Sequence, residues 1–195
     1  MMSRLLVLLT ILLALPIGST VPWEPQEGKS LLGSHAPEWS GITWVHGGPL
    51  TLESLKGKVI LLRFWMGDCP YCIHSAPALL SLRKQYGDRG LVVVGLHHPK
   101  SEKARDIGWV SRKADELGFD FPVGQDDQWT TLRAYGVGTV FRHFTSVSFL
   151  IDRNGIIRFV HDGGEFHPDG GAGHEECNRA YEALQAAVET TLAHK

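Results

Sequence analysis

Cys69-Pro70-Tyr71-Cys72 constrains this chain more than any other stretch of it. It follows Val59-Ile60-Leu61-Leu62-Arg63-Phe64-Trp65, which reads as a buried strand, and it precedes residues 73–86, which have the apolar spacing of a helix. A thiol at a strand-to-helix junction meets the converging N–H groups of the first helical turn, whose dipoles favour thiolate over thiol. The thiolate is the nucleophile of disulfide exchange, and a second cysteine three residues on can close a ring with the first. Zinc sites use the same spacing, but a structural zinc takes a second ligand pair, and Cys177 is the one cysteine left. The strand–CxxC–helix setting therefore favours a redox pair.

The frame around this motif is one domain. The chain has 195 residues, and its 43% hydrophobic content supports a proper core. A formal charge of -2 gives no basic footprint for nucleic acid. Met1-Met2-Ser3-Arg4 and the apolar run 5–15 form a short charged head and a hydrophobic segment too brief to span a bilayer comfortably. Residues 1–20 are thus expected to be a signal peptide, with Pro16-Ile17-Gly18-Ser19-Thr20 holding the cleavage site, or else an uncleaved membrane anchor. Either way the domain is expected outside the cytoplasm, periplasmic or extracellular, where disulfides persist. The proline-rich stretch 21–37 reads as a linker, leaving 38–195 as the domain.

Further along, Ile42-Thr43-Trp44-Val45 and Leu50-Thr51-Leu52 flank Gly47-Gly48 and suggest a short hairpin. Leu91-Val92-Val93-Val94-Gly95-Leu96 suits a strand buried on both faces. Helical spacing covers 101–117 and 128–135, with a short strand at 119–123 between them. Strands at 146–151 and 156–161 flank the turn Asp152-Arg153-Asn154-Gly155. A glycine-rich loop follows at 163–173, and a closing helix at 175–193. Alternation first and an antiparallel hairpin last predict a mixed sheet covered by helices.

These residues resemble the thioredoxin superfamily, in its exported redoxin branch, which includes the anchored disulfide reductases of cytochrome maturation. The resemblance covers about 58–192. It is carried by Phe64-Trp65 with Cys69-Pro70-x-Cys72, by Pro77, by Gly90-Leu91-Val92-Val93-Val94-Gly95, by Phe119-Asp120-Phe121-Pro122-Val123, and by Phe149-Leu150-Ile151-Asp152-Arg153-Asn154-Gly155. It implies an α/β, three-layer thioredoxin-like fold with a central mixed sheet and helices on both faces, here with an N-terminal hairpin extension. It also implies that Cys69 attacks and Cys72 resolves, that no cofactor is needed, and that the partners are protein thiols or disulfides plus an upstream redox partner. Two positions depart from the pattern. Ser146, next to Thr145, stands where the family places a cis-proline beside the dithiol, and a non-proline bond there is expected to be trans. Arg63 stands where many thioredoxins carry a buried carboxylate, and a guanidinium cannot accept a proton.

Around the cysteines, Trp65, Pro70 and Tyr71 are candidates for substrate contact or for tuning the pair, and His74 for base chemistry; Asp68 reads as a helix cap. His97 and His98 close the second central strand and, with His143, are candidates to frame the dithiol. Glu165, His167, His174 and Cys177 are metal-competent types on or beside the glycine-rich loop, although solvated loop residues and a small core cysteine are the plainer reading. Two other functions fit parts of the pattern. A copper chaperone would use the dithiol plus a histidine. A thiol peroxidase would need a threonine three residues before Cys69, where this chain has Met66.

Overall fold

The structure, a computed structural model, describes residues 28–138, 145–168 and 171–194. Residues 1–20, expected to be a signal peptide or anchor, and His143 lie outside these residues. The centre of the molecule is strand β2 (Val59–Trp65), in which all seven residues are buried. It pairs in parallel with β3 (Leu91–His97) on one side and antiparallel with β5 (Ser148–Ile151) on the other. A strand covered on both faces needs apolar residues at odd and even positions alike, which is why this segment shows no alternation.

Parity then sorts the core. Val59, Leu61 and Trp65 face Leu79 and Leu82 of α1 (Pro70–Tyr86), Val110 of α2 (Ile107–Glu116), and Leu184 and Val188 of α4 (Glu175–Ala193). Ile60, Leu62 and Phe64 face Leu132 of α3 (Thr130–Ala134), together with Trp39, Tyr135 and Phe149. Arg63 shares the parity of Leu61 and Trp65, so it emerges on the α1 side. The full sheet runs β1-β4-β3-β2-β5-β6, with β1 (Thr43–His46) at one edge, β4 (Val123–Gln125) parallel to β3, and β6 (Ile157–His161) antiparallel to β5. This is the mixed, helix-covered α/β sheet expected from the sequence.

The N-terminal hairpin does not form. β1 (Thr43–His46) pairs antiparallel with β4, with Thr43 opposite Gln125, and residues 50–52 are not a strand. The glycine signal was real but serves another end. Gly47 (φ 69°) carries the chain past Pro122, where a Cβ would meet the proline Cα at 2.8 Å. The edge of β4 supplies β1 with its ladder instead.

Several boundaries also move. Helix α1 starts at Pro70, not at 73, so the CxxC lies in its first turn. Helix α2 starts at Ile107, where the Asp106 side chain accepts from the Trp109 amide, and a 3-10 turn at Lys103–Arg105 precedes it. Within the lead-in, Gly33 and Ala36 donate to the carbonyls of Ile157 and Gly155 at 2.9 and 2.8 Å, which ties residues 33–36 to the β5–β6 hairpin. Among the described residues no helix is long and apolar enough to cross a membrane.

Candidate active site

Cys69 is the N-cap of α1, in extended backbone (φ -87°, ψ 119°), and Pro70 takes the first helical position, where a missing N–H is tolerated. The amides of Cys72 and Ile73 each donate to the Cys69 carbonyl at 3.0 Å, which closes the first turn. Cys72 is 2% exposed and Cys69 9%. The Met66 amide donates to the Cys72 sulfur at 3.5 Å. All three cysteines are free thiols. Asp68 is exposed and does not cap the helix, because Cys69 itself holds that place.

This seating separates the two thiols chemically. Cys69 is lowered to about 6. The hydrogen bond from the Cys72 side chain is the largest cause; burial opposes it, while the Cys72 and Tyr71 amides and the Arg63 charge reinforce it. Cys72 is pushed well above its ordinary value by its bond to Cys69 and by burial. The pair therefore loses its first proton as a unit, leaving a monoanion centred on Cys69.

Arg63 sits behind the thiols, 1% exposed. One of its Nη atoms donates to the Ser146 carbonyl and, at 3.1 Å, to Ser148 Oγ; the other donates to the Gly164 carbonyl at 3.1 Å. Its guanidinium lies 5.0 Å from the centroid of the buried Phe166 ring. Burial pulls its pKa down and the two thiols pull it up, but a guanidinium in a folded protein remains a cation. Both unusual positions thus meet in one contact, since the Ser146 carbonyl accepts from Arg63. The Thr145–Ser146 peptide is trans.

The other candidates divide. Trp65 is 1% exposed and packs edge-on against His97 and Phe119, so it forms the floor of the site and offers no surface to a substrate. Tyr71 and Ile73 are the exposed apolar residues flanking the sulfurs. His97 and His98 are fully buried. Burial lowers His97 to about 4 and holds His98 well below the usual histidine range, and His98 Nε2 bonds Thr145 Oγ1 at 2.7 Å. Both are neutral framework residues. His74 Nδ1 pairs with Glu165 Oε2 at 2.7 Å. Glu165, His167, His174 and Cys177 are drawn together at the foot of α4.

Four contributors went unread in the sequence. Ser75 is fully buried, donates to the Tyr71 carbonyl at 2.7 Å and accepts from the Phe166 amide at 3.0 Å. A serine three residues after Cys72, on the buried face of the helix, was the available signal. Ser148, polar within an apolar strand, was a second. Phe166 and His161, whose rings pack 5.0 Å apart beside Arg63, carried no pattern that pointed inward.

Fold and site together define a thioredoxin-like protein with an asymmetric dithiol at a helix N-terminus. Residues 31–172 match the Redoxin family model, and the chain belongs to that family. It is 32% identical to Protein DipZ of Mycobacterium tuberculosis over 129 residues, 64% of this chain but only 18% of that relative's length. It is 30% identical to the thiol-disulfide oxidoreductase ResA of Bacillus anthracis, across 66% of this chain and 68% of ResA. A crystal structure of a thiol:disulfide interchange protein DsbE from Chlorobium tepidum superposes with a TM-score of 0.67 at 26% identity, over 83% of this chain and 98% of that one. The names of the ResA and DsbE relatives denote thiol–disulfide exchange, and this chain shares the redoxin fold with them.

Proposed function

We propose that this protein is an exported oxidoreductase that exchanges disulfides with protein substrates through Cys69 and Cys72. The observation that carries the reading is the asymmetry of the pair: an acidic thiol at the helix start, and a buried, protonated one behind it. The Cys69 thiolate attacks one sulfur of a substrate disulfide. The substrate S–S bond breaks, a mixed disulfide forms, and one substrate thiolate leaves. Cys72 then attacks Cys69 Sγ as its proton passes to the departing substrate sulfur. Two electrons have moved from the dithiol to the substrate, and a Cys69–Cys72 disulfide remains for an upstream dithiol partner to reduce. Run backwards, the same steps oxidise a substrate.

Exposed Tyr71 and Ile73 beside the sulfurs supply an apolar rim for a polypeptide. The charged head and apolar run at the N-terminus support export, with the domain outside the cytoplasm or held at the membrane. Reduction of insulin disulfides tests the chemistry. Cys69→Ser should abolish turnover, and Cys72→Ser should trap a substrate mixed disulfide on Cys69. Full exchange by Cys69→Ser would refute the mechanism. Fractionation of the host cell tests the location.

A further inference from the structure

A second cluster of ligating atoms lies beside the dithiol and takes no part in its chemistry. One atom each from Glu165, His167, His174 and Cys177 falls in a group whose members are all within 4.8 Å of one another. Glu165 Oε1 is 3.5 Å from His167 Nε2, 3.5 Å from His174 Nδ1 and 3.3 Å from Cys177 Sγ. In a tetrahedral zinc site with bonds of about 2.0–2.3 Å, neighbouring ligand atoms are roughly 3.3–3.8 Å apart. Three edges of such a tetrahedron are therefore already at length. His174 Nδ1 is shut off from solvent and makes no hydrogen bond, although it points into this group.

The ligands stand on backbone that is tied to the fold. His174 is the N-cap of α4 and Cys177 stands three residues on, so both project from one helical turn. The loop that carries Glu165 and His167 is pinned at the Gly164 carbonyl by Arg63 and at the Phe166 amide by Ser75. His74 Nδ1 holds the second oxygen of Glu165, as outer partners of metal-bound carboxylates do. Two imidazoles and a thiol crowd around one carboxylate oxygen.

We infer that Glu165, His167, His174 and Cys177 form a closed, four-ligand site for a zinc-class divalent ion. The donor set of two nitrogens, one sulfur and one oxygen suits zinc or a neighbouring transition ion and not calcium or magnesium. Four protein ligands leave no open position, so the ion would lock the glycine-rich loop to α4 and would not react with substrate. The Cys177 thiol gives up its proton on coordination. The inference stands apart from the proposed exchange chemistry, because neither Cys69 nor Cys72 belongs to the group.

Cobalt titration tests it. The purified protein is first oxidised to the Cys69–Cys72 disulfide, leaving Cys177 as the only thiol, then titrated with Co2+ and back-titrated with Zn2+. One equivalent should bind, with a sulfur-to-cobalt charge-transfer band and visible bands of tetrahedral intensity, and zinc should displace it with a Kd of about micromolar or tighter. Cys177→Ser should lose the charge-transfer band, and His167→Ala and His174→Ala should each weaken binding by about tenfold or more. Circular dichroism checks that each variant is folded. No saturable binding by the folded wild-type protein, a charge-transfer band surviving in Cys177→Ser, or unchanged affinity in a histidine variant would overturn the site.

Discussion

Removing the Cys72 thiol is the sharpest perturbation of the dithiol, because its hydrogen bond is the largest cause of the Cys69 shift. In Cys72→Ala that cause is gone, and burial becomes the largest single cause left. Burial raises the Cys69 pKa, while the Cys72 and Tyr71 amides and Arg63 lower it. Cys69 should therefore climb from about 6 to about 8–8.5, near an ordinary thiol. At pH 7 its thiolate fraction would fall roughly twentyfold. A more basic thiolate is also a better nucleophile, and with a Brønsted slope of about 0.4–0.5 the same shift returns roughly tenfold in rate. The net change at pH 7 is only about twofold, so a single-pH rate would miss the effect. The assay is iodoacetamide labelling of Cys69 across pH 4–10, read by peptide mass. The wild-type midpoint should lie near 6 and the Cys72→Ala midpoint near 8–8.5, with Cys72→Ser between them because a hydroxyl still donates. A Cys72→Ala midpoint that stays near 6 would show that the helix turn and Arg63 acidify Cys69 unaided, and the pairwise explanation would fail.

Two further outcomes follow from the core. His161 is held neutral, lowered to about 3 mainly by burial and secondarily by Arg63, with Lys29 adding and Asp162 opposing. Its folded pKa lies below the unfolded value of about 6.5, so the unfolded chain binds the extra proton in this window, and stability is lost as pH falls, by up to about 1.4 kcal/mol per unit. His161→Leu should remove about one proton from the acid slope of urea-unfolding free energy between pH 6 and 4; an unchanged slope would show that His161 is not buried as described. Leu79, 1% exposed on α1, should cost about 2–5 kcal/mol when cut to alanine, and a loss below about 1 kcal/mol would contradict the packing of α1 on the sheet.

The fold was legible where local pattern and tertiary role agree. The unbroken apolar run of β2 and the β-branched run of β3 announce strands covered on both faces, and both were placed to within a residue. The hairpin failed because Gly47-Gly48 specifies a change of direction without naming the partner, and the partner proved to be β4, about 80 residues away. The cysteines were legible because the chemistry sits on two side chains at fixed spacing. The Arg63 network was not, because two of its acceptors are main-chain carbonyls, of Ser146 and Gly164, and every residue has one. Asp68 was misread for a related reason. A carboxylate before a helix usually caps it, but here the first turn is spent on sulfur.

Arg63 makes the two redox states unequal. Its described polar contacts are oxygens of neutral groups, an aromatic face and the two sulfurs. In the dithiol form the Cys69 thiolate is a counter-charge for this buried cation. In the disulfide form that charge is gone, and the guanidinium keeps only neutral acceptors, which is a costly state for a buried ion. The protein therefore favours its dithiol, and its potential is displaced toward the oxidising side. With an effective dielectric near 20, the lost attraction is on the order of 1–3 kcal/mol. For a two-electron couple that corresponds to about 20–60 mV. Arg63→Met should lower the potential by about that amount, measured against a glutathione buffer. The same cycle requires the stability gap between reduced and oxidised protein, from urea unfolding of each form, to move by the matching free energy. If both forms lose equal stability and the potential stays fixed, Arg63 is a bolt between β5 and the loop at 164 and has no part in setting the redox balance.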